Sequence, residues 1–135
     1  MQYVYIITIG LHVMAGVFWA GTTITLARDP EIRAERFIGP QMGAAGMVFL
    51  TGALLWYFFH GAYFGSTEMV LALGIVAAFA AAGVLSTMVR RTSTQLAGAD
   101  AATEPALRAK MAQGERIAAW LLVLTVLCMA TARMF

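Results

Sequence analysis

Met1–Ala27, MQYVYIITIGLHVMAGVFWAGTTITLA, contains no Asp, Glu, Lys or Arg. Phe37–Thr67, Met69–Val89 and Ile117–Ala132 are equally free of them. A helix needs about 20 apolar residues to cross ~30 Å of hydrocarbon. Three of the stretches supply that length, and the fourth borrows from its flanks. Barrel strands would alternate over ~10 residues between turns, whereas these runs are continuous and rich in Ala and Leu. The pattern predicts an all-α integral membrane four-helix bundle, a single domain over 1–135 with spans at about 3–27, 38–60, 68–90 and 115–134.

Composition agrees. Of 135 residues, 61% are hydrophobic and 12% are charged, against roughly 25% charged in soluble domains. A net charge of +2 with no basic groove or interleaved aromatics predicts membrane lipid, and no nucleic acid, as the surroundings. Cys128 stands alone in an apolar run, which excludes a disulfide framework and a multi-cysteine zinc site, and the lack of C-x-x-C-H excludes covalently attached heme. The first stretch lacks the basic n-region of a cleavable leader and is expected to be a permanent span.

Arg28, Arg33 and Arg36 follow the first span, and Arg90, Arg91, Arg108, Lys110 and Arg116 lie between the third and fourth. The loop from His60 to Ser66 has no Lys or Arg. The positive-inside rule then puts both basic loops in the cytoplasm and both termini on the non-cytoplasmic side. Only Arg133 disagrees, at a helix end from which it can snorkel. Asp29-Pro30 is expected to end the first helix, Gly61 and Gly65 to turn the hairpin, and Thr103-Glu104-Pro105 to start a helical extension of the fourth span. Gly74, Ala78 and Ala82 read as a close-packing stripe; Gly39-x-x-x-Gly43 makes a homodimer contact plausible.

His12 lies about ten residues into the first span, near the bilayer midplane at ~1.5 Å per residue. There it is the one ionisable group deep in the spans, which marks a functional site by default. Thr8, Gly16 and Trp19 share its helix face, at four before, four after and seven after. A glycine one turn away leaves room for a flat macrocycle, with Trp19 as a wall. The alternative is a histidine that only hydrogen-bonds across helices.

His12-x6-Trp19-Ala20-Gly21 resembles the first-helix signature of small heme-associated membrane proteins related to the membrane-bound protoporphyrinogen oxidase and copper-resistance D-type families. Glu35-Arg36-Phe37-Ile38-Gly39-Pro40-Gln41-Met42 is similar to the segment opening the oxidase family's second helix, and Gly114-Glu115-Arg116 is a weaker echo of its last. The resemblance implies a heme b in the bundle, His12 as an iron ligand, Arg36 as the family's second-helix arginine and Met42 as its methionine. Span three has no lysine or histidine and span four no proline, where the oxidase family has such features.

Met42, Gly46, Phe49, Ala53, Trp56 and His60 form one stripe on span two, a spacing also typical of plain core. Rise counting puts His60 about 13 Å from the level of His12, and Met42 displaced the other way. Either is a candidate second ligand, since imidazole and thioether both suit heme iron; a five-coordinate iron or a ligand from a second subunit is the other option. Arg36 could hold a propionate or a substrate carboxylate through its guanidinium fork.

With the resemblance, these residues imply a heme b protein for electron transfer or tetrapyrrole chemistry in the inner membrane, an oxidoreductase if it is an enzyme. The expected site is His12, Gly16, Trp19 and Arg36, with Met42 or His60 on the metal. A quinone, a cytochrome or a tetrapyrrole would be the partner. The competing classes are a copper-handling protein, for which Met42, Met47, Cys128 and Met129 are scattered without a ladder, and a structural or assembly subunit.

Overall fold

The computed structural model describes residues 1–135 and contains helices and turns but no strand. Helix α1 (Gln2–Arg28) ends where Asp29 takes an extended conformation ahead of Pro30. A 3₁₀ turn over Ala34–Arg36 leads into α2 (Ile38–Phe59). The hairpin reverses at Gly61, whose φ of +54° suits a residue without a Cβ. Glu68 then turns back to accept the Gly65 backbone N–H at 2.8 Å, starting α3 (Ser66–Val84).

The third helix does not stop at Arg90. It passes through a six-residue π turn, Leu85–Arg90, into α4 (Arg91–Leu96), one continuous rod over Ser66–Leu96. Helix α5 (Glu104–Thr131) starts at the expected Thr103-Glu104-Pro105 boundary, with proline in its first turn, and ends in a 3₁₀ turn over Ala132–Met134. The α1 and α2 helices, the rod and the fourth helix are each long and apolar enough to cross a membrane.

Helix α1 packs on both α2 and α5, and α3 packs on α5. The contact of α2 with the rod is chiefly at the π turn; elsewhere Phe49 and Phe79 bridge the seam, stacked at 4.2 Å. Small residues set the closest approaches. A Cβ on Gly74 would meet Cys128 Cβ at 2.9 Å, and one on Gly114 would meet Met88 Cβ at 2.8 Å. So the span-three stripe does join helices, as lipid requires where apolar side chains gain little by associating. Gly39 and Gly43 by contrast have open space where a Cβ would stand.

Trp19, Ala45, Ala81, Leu85, Met111 and Ala118 lie in the shared core, while large apolar side chains such as Ile7, Leu50, Val76 and Leu127 face outward. Eight threonines, from Thr8 to Thr131, donate their hydroxyl to the carbonyl four residues back. Helical threonine can close its own hydrogen bond in this way.

Candidate functional site

His12 lies half-buried in the α1–α2 interface, its Nδ1 2.9 Å from the Thr51 hydroxyl. Thr51 sends its own hydrogen to the Met47 carbonyl, 2.6 Å away. Its oxygen is therefore the acceptor, Nδ1 carries the hydrogen, and Nε2 keeps the lone pair. The Nδ1–Cε1 edge of the ring rests on Gly52, where a Cβ would come within 3.1 Å of Cε1. Thr51 and Gly52 thus hold the imidazole. Neither stands out in the sequence, because threonine and glycine recur throughout the spans.

Thr51 marks the level of His12 on α2, and Met42 and His60 stand nine residues to either side. That is about 13 Å each way at helical rise. The three candidate ligands form three separate pairs. His60 Nδ1 meets Glu68 Oε1 at 2.7 Å, and the Ser86 hydroxyl points to Met42 Sδ at 3.9 Å. No three His, Cys, Asp or Glu side chains come together.

A Cβ on Gly16 would meet only Val48 Cγ2, at 4.0 Å, so this glycine faces α2. Trp19 is buried edge-on to Phe49, with ring centroids 5.8 Å apart. Arg36 is exposed at the basic-loop end, where the 3₁₀ turn closes. Sixteen residues of α1 separate His12 from Arg28 at that end, about 24 Å. An open groove of about 320 Å³ runs along Val17, Phe18, Gly21 and Phe37. Gly21 is nine residues from His12, two and a half turns on, and so lies on the opposite face of α1. A heme iron would take His12 Nε2, the ring nitrogen left with its lone pair. Met42 and His60 each lie about 13 Å from the level of His12 and do not meet it across one iron in this structure.

His12 is not the most enclosed ionisable group. Glu115 is fully buried, as are Gln41 and Thr23. Gln41 Nε2 donates to Thr23 Oγ1 at 3.0 Å and to Glu115 Oε2 at 3.2 Å, and Thr23 donates in turn to the Trp19 carbonyl at 2.7 Å. This chain joins α1, α2 and α5. Gln41 Oε1, Glu115 Oε1 and the Trp19 indole N–H, all buried, have no hydrogen-bond partner. A signal did exist: Met111, Gly114, Glu115, Ala118 and Leu122 recur at three and four, which puts Glu115 on the buried face.

At the same end, Arg108 grips both Glu35 carboxylate oxygens, at 3.2 and 3.3 Å, and Glu104 at 3.0 Å. Partial desolvation raises the Glu35 carboxyl, but its own backbone N–H, the Arg108 fork and the Arg33 charge outweigh it and hold it below its ordinary value. A crevice with about 10 Å³ of room, space for about one water, lies among Leu26, Pro30, Ile32, Arg108, Met111 and Glu115.

No family model, curated protein or solved structure matches the chain.

Proposed function

We propose that the chain is an integral membrane heme b protein in which His12 supplies the one axial nitrogen. It would serve electron transfer or tetrapyrrole chemistry of the protoporphyrinogen oxidase kind. The observation that carries this reading is the state of the imidazole. Thr51 takes the Nδ1 hydrogen and Gly52 seats the ring edge, so Nε2 is left with its lone pair. A partner on one ring nitrogen that orients the other is the usual arrangement of a metal-bound histidine. When bound, the group supplies one-electron chemistry at a potential set by ligand and burial.

The chain's own part is to fix the tautomer, keep the ring at midspan and surround it with apolar side chains. The sidedness that goes with this reading puts the basic loops in the cytoplasm, with both termini and the His60 hairpin across an inner membrane. The partner would be a quinone, a cytochrome or a tetrapyrrole, and a second copy could supply the sixth ligand.

One observation favours a plainer reading. The same His12–Thr51 bond joins α1 to α2, a sufficient role in a structural or assembly subunit. Spectra of detergent-purified protein, expressed with ample heme, separate the two. The heme reading expects a b-type spectrum that His12→Ala abolishes and Thr51→Val shifts, while Met42→Leu and His60→Ala leave it in place. A colourless wild type, or an unchanged spectrum in His12→Ala, sinks it.

A further inference from the structure

The buried polar chain at the basic-loop end has no role in the reading above. Its arithmetic is uneven. Glu115 lies among Gln41, Met111, Gly114 and Ala118 with no accessible surface, and one amide hydrogen at 3.2 Å is its only side-chain partner. No cation faces it. On α5, Arg108 is committed to Glu35 and Glu104, and Arg116 is turned outward toward the Ala27 carbonyl at 3.5 Å. Arg28, Asp29, Glu31 and Arg33 at the end of α1 and beyond it are exposed, as are Arg36 before α2, Lys110 on α5, and Arg90 and Arg91 on the rod, and α2 carries no charged residue. A carboxylate buried without a paired cation is costly.

Two further observations give the site an occupant and an entrance. Glu115 Oε1 and Gln41 Oε1 are both orphaned acceptors. Protonation would turn the first from an acceptor into a donor. The crevice among Leu26, Pro30 and Ile32 has room for about one water and runs between Arg108 and Glu115. Arg108 is about one-third exposed, so it can stand at the mouth.

We propose that Glu115 is an interior proton-binding site, loaded from the basic-loop end through the Arg108 crevice, which has room for about one water beside Glu115. The proton comes from bulk water, converts the carboxylate to the neutral acid, and leaves by the same route; no other bond forms or breaks. The Arg108–Glu35–Glu104 clasp limits how fast the crevice opens. None of this requires heme, so the proposal and the heme reading fail separately.

Infrared spectroscopy of the full chain in lipid tests it. At neutral pH the wild type is expected to show a protonated-carboxyl stretch that moves on transfer to D₂O and is missing in Glu115→Gln. Absence of that band from the wild type, or its persistence in a folded Glu115→Gln, overturns the proposal. If Glu115→Gln does not fold, Gln41→Leu decides: a displaced band supports the site, and an unmoved one overturns it. Arg108→Ala should speed the D₂O shift several-fold, and an unchanged rate overturns the route.

Discussion

Each end of the bundle buries a glutamate, and the two are treated differently. At the hairpin end, Glu68 gives one oxygen to His60 and the other to the Gly65 N–H. At the basic-loop end, Glu115 has one amide contact and an orphaned oxygen. Burial is nearly the same, at 5% and 0% exposed. What differs is whether both oxygens are answered. A carboxylate answered by an imidazole and a backbone N–H is a structural fitting; one left half-answered in the core has capacity for something else.

The glycines beside the two acids give the largest expected contrast. Gly114→Ala drives a Cβ into Met88 Cβ and Val89, an overpacking that costs about 1–3 kcal/mol. Gly65→Ala should cost clearly less, since its closest neighbour is the exposed Tyr63 ring, which can swing away. Thermal unfolding in one detergent ranks them, and equal losses would mean that the wall around Glu115 is looser than described.

Exchanging each acid for its amide sharpens the comparison next. Glu68→Gln loses a charge-assisted bond to His60 and should lower the midpoint by a few degrees at neutral pH. Glu115→Gln should leave it nearly unchanged there. On the proton-site proposal the folded chain holds a proton that the unfolded chain has released, so wild-type stability falls as pH rises. Glu115→Gln should therefore be the more stable protein in alkali. A Glu115→Gln midpoint that falls as far as that of Glu68→Gln would remove the distinction.

The clasp gives a smaller effect with the opposite slope. Because Glu35 is held below its ordinary value in the folded state, its contribution is present above the unfolded carboxylate range and is lost as pH falls through the folded value. A partly exposed pair of this kind contributes under about 1 kcal/mol. Arg108→Ala should flatten that acid-side loss in a pH series of unfolding curves. Least of all, Gly43→Ala, with open space around it, should stay within about 0.5 kcal/mol of the parent.

Much of the frame could be read before any coordinates. Asp29-Pro30, Gly61 and Thr103-Glu104-Pro105 announce their turns and helix starts because local sterics act over a few residues. The Gly74 stripe declares itself by spacing. Arg90 and Arg91 read as a loop and are helix, since a π turn sets both on the exposed side while Thr92 turns inward. Glu115 was hidden by its neighbour: adjacent helical residues point about 100° apart, so a Glu-Arg pair that looks like surface can have one member inside. The His12–Thr51 and His60–Glu68 pairs depend on how α1, α2 and the hairpin are set side by side, and no local pattern carries that.

The back-bonded threonines bear on how such a chain enters a bilayer. With the hydroxyl closed on the turn below, Thr22, Thr25, Thr87 and Thr131 present little more than a valine's outline to the acyl chains. Hydropathy scales count them as polar, so the spans are greasier than their letters suggest. Valine should replace these four almost silently. Thr23 and Thr51 also accept from Gln41 and His12, and Thr125 shares its one hydrogen between its own turn and the Gly74 carbonyl, so there the same exchange would cut a tie between helices.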